Sequence, residues 1–493
     1  MQKVGIVGFG IVGKSVLSFL TQHRCDKRMA ILGLLPNFTC YVWDSRLLDD
    51  AERDIIQEQG ACIVQASQAS LEQFFTSCDI IIPSPGININ AFLQFSNKML
   101  CELDFFSLFF KKPLFAVTGT LGKTTTTKLI GELLPLACKE RFASLVCSQN
   151  SQQCTVAVGG NIGTAMLDLA AEDDKYACAV LELSSWQLEL SNRCAPDIAV
   201  WTNLYPNHLD RHQTMQNYFQ AKFALFAHQR EGSAAIIAAD ILKGEVGALF
   251  YEKLPHLKST LIVTSLTDEN LENILEYQPN IKLIFVQQGW VVLRDYVTKQ
   301  CHKIMAVDDL SSITFVQNWL QVIAALNAAG MPVAIIKFFL RQHHDLIEGL
   351  SNHHHRVEHF ASINNIDFYD DSKSTVVQAT QAAVQKLAAL HRPLILILGG
   401  LSKGVNRSVL AEFLKQQAAI KKIYCFGKDC ADFSSFNYFE TLDEIVADVK
   451  ITAVAGDIVL FSPSGASFDL FKDYKQRGKI FQELVLSSMP TVQ

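Results

Sequence analysis

The segment AVTGTLGKTTTTKL, residues 116 to 129, has the residue types of a phosphate-binding loop. Apolar residues before it predict a short buried strand, and apolar residues at helical spacing follow Lys123. In a strand, loop and helix unit, Gly119 and Gly122 allow consecutive backbone N–H groups and a helix N-terminus to face one anion. The segment is therefore predicted to hold the phosphates of a nucleotide.

Two side chains of this loop would complete the binding of a nucleoside triphosphate. Lys123 would reach the β- and γ-phosphates, and the Thr124 hydroxyl would bind Mg²⁺. Val117 stands where longer phosphate loops carry their first glycine, so the loop is of a shortened kind. A turn that merely begins a helix remains the alternative interpretation of this stretch.

Polar residues also end two later strands. In VLELSSWQLEL, Glu182 lies at the end of an apolar run, and a buried carboxylate requires a cation, so Glu182 is a candidate magnesium ligand. In VWTNLYPNHLDRH, a neutral His208 imidazole could bind a metal or simply form hydrogen bonds in a loop. Lys222 lies on a predicted amphipathic helix, where composition alone favours an exposed surface lysine.

A second glycine pattern begins the chain. Gly8, Gly10 and Gly13 form G-x-G-x-x-G between a predicted strand and helix, which is typical of a dinucleotide-binding unit. The acidic residue that ends the next strand, Asp44, comes well beyond the usual ~20 positions. An NAD-dependent enzyme remains possible on these residues, and so does any other ligand with a diphosphate.

Three apolar strands near the C-terminus stop abruptly in small, hydroxyl and charged residues. They are IDFYDDSKST, LILILGGLSKG and IVLFSPSGASFDLFKDYKQRG. In open α/β sheets, ligands bind at the carboxyl ends of the strands. Three such ends in one segment therefore predict a binding site.

Length and composition limit the class of protein. The 493 residues are enough for about three domains at ~150 residues each. A net charge of −6 argues against nucleic acid as a partner. No apolar run reaches the ~18 residues of a membrane span, and the thirteen cysteines form no C-x-x-C pair, which favours a reducing cytoplasm. Alternating strands and helices indicate parallel sheets covered on both faces.

In order along the chain, the motifs GTLGKTT, GGNIG, LELSSWQLE, NLYPNHLDRH, AKF, HHRVE, YDDSKST, GGLSKG and SPSGASFDLFKDYKQRG resemble the Mur ligase family of bacterial peptidoglycan synthesis. The resemblance covers nearly the whole chain and is strongest to the branch that adds D-glutamate. It implies an α/β protein of three domains: a Rossmann-like UDP-binding domain over residues 1–111, a central P-loop ATPase-like domain with a mainly parallel sheet over 112–349, and a Rossmann-like amino-acid-binding domain over 350–493.

The reaction implied by the resemblance joins D-glutamate to UDP-N-acetylmuramoyl-L-alanine with hydrolysis of ATP to ADP. ATP phosphorylates the alanine carboxylate to an acyl phosphate, and the amine of D-glutamate then displaces phosphate. Cofactors would be ATP and two Mg²⁺ ions, or Mn²⁺ in their place. The enzyme would be a cytoplasmic monomer with small-molecule partners, no nucleic acid and no membrane.

The resemblance also implies roles for individual residues. Lys123, Glu182, His208, Lys222 and Lys373 would be catalytic. Thr124, Glu182, His208 and a carbamylated Lys222 would bind or support the metal ions. The remaining ATP contacts would come from Gly119, Thr120, Leu121, Gly122, Thr125, Asn318, Arg356 and Asp371.

The resemblance also assigns residues to the sites of the two other substrates. The UDP-substrate site would comprise Gly10, Ile11, Val12, Asp44, Ser45, Arg46, Gly86, Asn161 and Ser184. The D-glutamate site would comprise Thr375, Lys403, Ser467 and Phe468, where a lysine and hydroxyls suit two carboxylates.

Several residues depart from the family pattern. Leu121, Gln321 and Val376 replace asparagines, and Ser402 replaces an aspartate. The histidines His353 to His355 lengthen a family turn; they could bind a metal, although an exposed polar insertion is the preferred interpretation. Another amino-acid substrate, a folylpolyglutamate synthase and a non-catalytic nucleotide-binding homologue remain alternatives.

Overall fold

The computed structural model describes residues 1–146, 154–311, 313–350 and 355–487. These residues form two compact units. The larger unit comprises Met1–Leu204 and Thr214–Glu348, and the smaller comprises Tyr205–Gln213 and Gly349–Gln493. The predicted boundaries at 111/112 and 349/350 stay predictions.

The N-terminal sheet of the larger unit is entirely parallel, in the order β3-β2-β1-β4. Its strands are β1 (Lys3–Val7), β2 (Thr39–Asp44), β3 (Cys62–Gln65) and β4 (Ile80–Pro83), and its helices are α1 (Ile11–Gln22), α2 (Asp50–Glu58), α3 (Leu71–Ser77) and α4 (Glu102–Phe109). Parallel neighbours require crossover connections, which these helices supply. Asp49 and Ser70 form capping boxes with Glu52 and Gln73, which explains where α2 and α3 begin.

The central sheet of the same unit has the order β13-β12-β11-β10-β9-β8-β5-β7-β6. Its strands are β5 (Leu114–Thr118), β6 (Val156–Gly160), β7 (Cys178–Glu182), β8 (Ile198–Trp201), β9 (Ala234–Ala238), β10 (Thr260–Ser265), β11 (Lys282–Gln287), β12 (Trp290–Asp295) and β13 (Gln300–Ala306). β5 to β11 run parallel, whereas β12 and β13 add an antiparallel edge. Every residue of β5, β7 and β8 is buried, as expected for the middle of a covered parallel sheet.

The helices that follow in chain order are α5 (Lys123–Lys139), α6 (Met166–Ala170), α7 (Ser185–Leu188), α8 (Leu209–His212), α9 (Met215–Ala227), α10 (Gly244–Lys253), α11 (Val316–Ala328), α12 (Val333–Gln342) and α13 (His344–Gly349). α8 belongs to the smaller unit, and the others lie in the larger one except for the last residue of α13. One continuous apolar core joins the N-terminal and central sheets, with α4 packed on α6.

In the described part of the chain, no single helix has the length and apolar character to cross a membrane. α11 and α12 reach that length and composition only when taken together across a 120° bend.

The sheet of the smaller unit has the order β14-β15-β19-β16-β17-β18. Its strands are β14 (Glu358–Ile363), β15 (Ile366–Asp370), β16 (Leu394–Gly399), β17 (Ile420–Phe426), β18 (Asn437–Phe439) and β19 (Ile458–Phe461), and its helices are α14 (Val377–Ala388), α15 (Ser408–Lys415), α16 (Leu442–Thr452) and α17 (Tyr474–Leu486). β14 pairs antiparallel with β15 through Asn364 and Asn365, both at positive φ, and the remaining pairs are parallel. Separate apolar clusters cover its two faces. The predicted α/β class with parallel-rich sheets is confirmed.

Candidate active site

The predicted phosphate loop lies between β5 and α5, as the sequence indicates. Gly119 has φ +144° and Gly122 has φ +81°. A Cβ on Gly119 would lie 1.9 Å from Thr202 Oγ1, and one on Gly122 would lie 2.4 Å from Asn318 Oδ1. Both the backbone conformation and the lack of space therefore require glycine at these two positions.

The loop is fastened to the end of β8. Asn203 Oδ1 accepts the N–H groups of Leu121 (2.8 Å) and Thr120 (3.2 Å), and Asn203 Nδ2 donates to the Leu121 carbonyl (3.2 Å). The hydroxyl of Thr202 donates to the same carbonyl. Two of the loop N–H groups expected to face an anion therefore donate to Asn203 instead. Leu121 is held in the loop through its backbone N–H and carbonyl.

Gln321, one of the departures from the family pattern, supports this fastening. The side chain is 1 % exposed, and its Nε2 donates to the Thr202 carbonyl (2.9 Å). Asn318, one helical turn earlier on α11, donates to Thr314 Oγ1 (2.6 Å) and contacts the loop at Gly122. α11 therefore supports the loop through two amide side chains: Asn318 contacts the loop itself, and Gln321 binds the end of β8 to which the loop is fastened.

Two lysine side chains converge on one carbonyl of the loop. Lys123 Nζ donates to the carbonyls of Gly119 (2.8 Å) and Thr120 (3.0 Å). Lys222 Nζ, from α9, donates to Gly119 O (2.9 Å) and Thr118 Oγ1 (3.3 Å). Lys222 is 1 % exposed, so its interpretation as a surface lysine is wrong. An amphipathic pattern locates a helix but does not show which neighbour covers a lysine at its margin.

Burial dominates the electrostatics of Lys222. Desolvation holds the pKa of its amine well below the usual value, the charge of Lys123 lowers that pKa further, and Glu182 acts in the opposite direction. Lys222 Nζ lies 4.8 Å from the ring centroid of Tyr218, whose hydroxyl is 3.2 Å from Thr120 Oγ1. Burial also raises the pKa of Tyr218. Sequence reasoning did not identify Tyr218, because a tyrosine on an amphipathic helix resembles any core residue.

Glu182 ends β7 beside β5 and is 2 % exposed. Asn161 Nδ2 donates to Glu182 Oε1 (2.7 Å) and the Asn161 N–H donates to the Glu182 carbonyl (2.8 Å), so Asn161 orients the carboxylate. Glu182 Oε2 is buried with no hydrogen-bond partner among the described residues. A buried carboxylate oxygen that lacks a donor fits a hard cation such as Mg²⁺, and Thr124 lies in the first turn of the neighbouring helix α5.

Other predicted residues have structural roles of their own. Ser184 caps α7: its Oγ accepts the Gln187 N–H (3.3 Å) and donates to Gln187 Oε1 (3.0 Å). Thr125 is buried in the first turn of α5. His208 has φ +55° and caps α8 within the segment Tyr205–Gln213, which belongs to the smaller unit. Its participation in a magnesium site stays a prediction.

The first glycine loop lies between β1 and α1. Gly8 has φ +86°, and a Cβ on Gly13 would lie 2.1 Å from the Gly8 carbonyl. Gly10 precedes α1, and Ile11 at its start is 74 % exposed. Gly86 lies in the turn after β4, where Ser84 Oγ donates to the Gly8 carbonyl (2.9 Å).

The acidic residue expected beside this loop, Asp44, forms hydrogen bonds within the protein through both carboxylate oxygens. Asp44 Oδ2 accepts the Phe9 N–H (2.7 Å), and Oδ1 accepts the Arg46 N–H (2.9 Å). The Arg46 guanidinium donates to the Phe9 carbonyl (2.9 Å) and to both Glu52 oxygens (2.9 and 3.0 Å), while Ser45 is exposed. Because both Asp44 oxygens are engaged, this carboxylate holds the loop and Arg46, and it is a poor acceptor for the ribose of NAD.

In the smaller unit, β15 ends in the predicted ATP-side residues. Asp371 accepts Ser462 Oγ (2.7 Å) and the Val357 N–H (3.2 Å); burial raises the pKa of its carboxyl to about 7, and the nearby Arg356 lowers it. Lys373 Nζ lies 5.0 Å from the ring centroid of Tyr474. Thr375, two residues further on, is half-buried.

The loop with Lys403 and the loop with Ser467 are joined by a β-bridge. Leu401 and Ala466 exchange N–H···O bonds of 2.8 Å in both directions. Near this bridge, Lys403 has a left-handed backbone conformation with φ +55°, and Ser467 is buried, with 3 % of its surface exposed. The next residue, Phe468, is expected to line the amino-acid pocket, but its side chain is 70 % exposed.

The predicted histidine insertion lies partly outside the described residues, at His353 and His354. His355 is described; its Nδ1 is 2.6 Å from Asp370 Oδ2, which also accepts Gln482 Nε2 (2.9 Å). His355, Glu358 and Asp370 present potential metal-ligand atoms within 4.8 Å of one another. The expectation of an exposed insertion is therefore wrong for His355, which packs into the unit.

The matches to known families cover the central and C-terminal parts of the chain. The Mur ligase middle domain matches residues 117–325, and the Mur ligase, glutamate ligase domain matches residues 355–465. Together with the sheets and the phosphate loop, these matches define the class: the chain belongs to the Mur ligase family. Mur ligases are ATP-dependent ligases, and this chain is an enzyme of that kind.

Two individual relatives of the chain are named for one reaction of this family. The chain is 33 % identical over 427 residues to the UDP-N-acetylmuramoylalanine–D-glutamate ligase of Koribacter versatilis, covering 84 % of each chain. It is 29 % identical to the Vibrio cholerae ligase of the same name, covering 98 % of each.

Solved structures with the same fold include two Thermotoga maritima proteins. They are the UDP-N-acetylmuramate–alanine ligase (TM-score 0.52, 16 % identity, covering 99 % of this chain and 100 % of that one) and the MurF ligase in complex with ADP (TM-score 0.51, 16 % identity, 91 % and 94 %).

Proposed function

We propose that this enzyme joins D-glutamate to UDP-N-acetylmuramoyl-L-alanine with ATP, in the cytoplasmic stage of peptidoglycan synthesis. The observation that carries the proposal lies at the phosphate loop: Lys123 and Lys222 donate to the loop carbonyl that follows β5, and at the end of the neighbouring β7 one buried oxygen of Glu182 has no hydrogen-bond partner among the described residues. A relative named for this reaction is 33 % identical to the chain over 84 % of its length.

The chemistry begins with a carboxylate, which is a poor electrophile because its charge is delocalised. One oxygen of the alanine carboxylate attacks the γ-phosphorus of ATP, the bond from that phosphorus to the β-phosphate oxygen breaks, and ADP leaves. The amine of D-glutamate then attacks the acyl carbon. Collapse of the tetrahedral intermediate expels inorganic phosphate, and the amine loses a proton. Catalysis is mainly positioning and charge neutralisation.

Lys123 would neutralise the β- and γ-phosphates. Its ammonium donates to the carbonyls of Gly119 and Thr120, so contact with the phosphates exchanges these bonds for charge-assisted ones. The loop backbone, Thr125 and Asn318 would complete the ATP site. Arg356, Asp371 and Lys373 would act on the ATP side from the smaller unit.

Glu182 and Thr124 would hold Mg²⁺, and His208 would hold a second ion; Mn²⁺ has the same ligand preference. When bound, the metal supplies positive charge to the phosphate oxygens. The orphaned Glu182 Oε2 is the structural support for this assignment. Asn161 would fix the carboxylate, and together with Ser184 it would lie beside the muramoyl-alanine substrate.

Lys222 would act as a carbamate. Its depressed pKa favours the neutral amine, whose lone pair attacks CO₂ and releases one proton to give a carbamate anion. The new anion would lie near Lys123, which donates to the same Gly119 carbonyl as Lys222, and would supply negative charge to support the metal. Buried lysines with a depressed pKa are suited to such reactions.

The first glycine loop would hold the uridine diphosphate. Gly10, Ile11 and Val12 present the exposed beginning of α1, and Arg46 is fixed nearby by Asp44 and Glu52. Ser45 and Gly86 flank the same loop.

The D-glutamate carboxylates would be bound at the bridged loops of the smaller unit. Lys403 supplies a cation, and Thr375 and Ser467 supply hydroxyls. Phe468 would contact the amino acid only after a change of conformation, since its side chain is exposed. We infer a monomeric enzyme without nucleic-acid or membrane partners. Free thiols such as Cys40, Cys78 and Cys194 fit a reducing cytoplasm.

Phosphate release from ATP tests the proposal. Purified protein receives UDP-N-acetylmuramoyl-L-alanine and then D-glutamate, L-glutamate, L-alanine or diaminopimelate in separate reactions. Release that requires both the nucleotide sugar and D-glutamate supports the proposal. Release with another amino acid keeps the mechanism and changes the substrate, and no release from protein that binds ATP indicates a non-catalytic homologue.

A further inference from the structure

Two arginines of the smaller unit are almost completely buried. Arg407 is 1 % exposed and Arg477 is 0 % exposed. Burial lowers the pKa of Arg477 to about 10 and also lowers that of Arg407, in both cases by desolvation. Burying a guanidinium is unfavourable unless its donors are used, so their hydrogen bonds indicate what these residues hold in place.

Arg477 joins two of the predicted substrate loops. Its Nη2 donates to the Ser372 carbonyl (2.6 Å), its Nε donates to Ser372 Oγ (3.1 Å), and its Nη1 donates to the Gly465 carbonyl (3.0 Å). Ser372 immediately precedes Lys373, and Gly465 lies two residues before Ser467. One guanidinium thus connects the loop of the phosphoryl-side lysine to the loop of the amino-acid site.

Arg407 acts on the loop that carries Lys403. Its Nη1 donates to the Gly400 carbonyl (2.9 Å) and, more weakly, to Gly399 O (3.3 Å), and its Nη2 donates to the carbonyl of Asp429. The Asp429 carboxylate in turn accepts the N–H of Ser402 (2.7 Å), the residue before Lys403. The Lys403 loop is therefore held both directly and through Asp429.

The two loops cross at a contact between glycines, next to both arginines. A Cβ on Gly400 would lie 2.3 Å from the Ala466 carbonyl and 2.8 Å from Arg477 Nη1. A Cβ on Gly465 would lie 2.5 Å from the Gly399 carbonyl. With no room between the backbones, a shift of one loop displaces the other.

We propose that Arg477 and Arg407 are positioning residues for the ligation, and this inference rests on the proposed function. Arg477 fixes Lys373 relative to Ser467, and Arg407 fixes Lys403. A guanidinium is a planar fork with five donors, which a lysine ammonium cannot replace at several carbonyls at once. Displacing catalytic groups by ~1 Å can reduce activity about 10²-fold.

The two residues have different expected effects. Arg477 contacts both the phosphoryl side and the amino-acid side, so Arg477→Lys lowers kcat and raises KM for D-glutamate, reducing kcat/KM about 10²-fold. Arg407 contacts only the amino-acid side, so Arg407→Lys mainly raises KM for D-glutamate, and kcat falls less. KM for UDP-N-acetylmuramoyl-L-alanine stays unchanged in both variants.

Arg392→Lys is a matched control. Arg392 also binds backbone carbonyls, those of Gly456 (2.8 Å) and Asp457 (3.2 Å), and pairs with Asp367. It lies at the amino ends of the parallel strands, away from the loops. The control variant loses comparable hydrogen bonds and melts at a lower temperature, while its kinetic constants stay those of the wild type.

The experiment measures kcat, KM for each substrate and the melting temperature of the wild type and these variants. The separate changes in kcat and KM described above support the proposal. Wild-type constants in Arg477→Lys, with only a lower melting temperature as in Arg392→Lys, overturn it. A wild type that does not use D-glutamate contradicts the proposed function instead.

Ser372→Ala keeps the test decisive if Arg477→Lys does not fold. This change removes only the hydroxyl that accepts from Arg477 and donates to the Tyr474 carbonyl (2.9 Å). A severalfold lower kcat in folded protein supports the proposal, and unchanged kinetic constants overturn it.

Discussion

The two glycine loops of the larger unit have the same order of strand, loop and helix but differ in their surroundings. The first lies beside Arg46, whose exposed guanidinium forms ion pairs with the buried carboxylates of Asp44 and Glu52. The second lies beside two lysines and a buried carboxylate oxygen without a donor. Glycine spacing therefore predicts a phosphate site, whereas the neighbouring strand ends indicate whether a phosphate is only bound or also transferred.

The largest expected effect comes from Lys123→Ala. Removing the ammonium from the transferring loop lowers ATP turnover by about 10³-fold, because the phosphate charge loses its main protein cation. Lys14→Ala is the matched control: Lys14 lies in the first helix after the other loop and pairs with Glu52 (3.0 Å). Phosphate release is measured for both variants. Equal turnover in Lys123→Ala and the wild type would contradict the phosphate-loop assignment.

Lys222→Ala separates a chemical role from a structural one. Loss of a group that supports the metal ligands lowers activity about 10²-fold, and a small carboxylate such as acetate restores part of it by replacing the carbamate. The rate is measured with and without acetate, and chloride at the same ionic strength serves as the control. Full activity without any rescue would mean that Lys222 only fills its buried position.

Arg46→Ala tests the assignment of the first glycine loop to the nucleotide sugar. Loss of one charge-assisted contact raises KM for UDP-N-acetylmuramoyl-L-alanine about tenfold and leaves KM for ATP unchanged. Both constants come from steady-state kinetics. The opposite outcome, a change for ATP alone, would show that the two loops have been assigned to the wrong nucleotides.

The smallest effect on activity is expected where α4 packs on α6, between the N-terminal and central sheets. Glu102, on α4, lies 3.4 Å from the Leu167 N–H on α6, and burial raises the pKa of its carboxyl from 4.5 to about 7, with Asp168 adding to the shift. The folded state therefore holds this proton more tightly, so stability falls as pH rises from about 4.5 to 7 and stays lower above that range.

Glu102→Gln keeps an acceptor oxygen but cannot ionise. We expect the variant to be more stable than the wild type by about 3 kcal/mol at pH 8, with no such gain at pH 4 and little change in kcat. Urea unfolding at the two pH values measures the difference. Glu58→Gln, at an exposed position on α2, should show no pH-dependent gain, and a gain at both positions would point to net charge instead.

Much of the fold and of the candidate site could be predicted from local patterns. Apolar runs ending in polar clusters located the strands, and glycine spacing located both loops. The motifs also single out Glu182 and Lys222, both of which are buried, and their roles stay predictions. What they could not predict depends on contacts between distant segments: the fastening of Leu121 by Asn203, the burial of Lys222 beneath the loop, and the exposure of Phe468.

The buried arginines illustrate the same limit. A single arginine in the sequence predicts a surface residue, and Arg407 in particular carries no local signal of burial. The hydrogen bonds of its guanidinium go to backbone carbonyls, which every residue has, so no residue pattern reveals them. Gln321 departs from the family pattern in the sequence, but only the structure shows that its side chain binds the Thr202 carbonyl.

The shared acceptor in the second loop has a thermodynamic consequence. Lys123 and Lys222 both donate to the Gly119 carbonyl, so two amino groups share one acceptor oxygen. A polyanion bound there supplies further acceptors, and ligand that binds only the folded state stabilises it by RT ln(1 + [L]/Kd). Tripolyphosphate alone, which has no adenine and no reaction to complete, should therefore raise the melting temperature. The melting temperature of the enzyme would then measure the fraction of molecules whose phosphate loop has an anion bound.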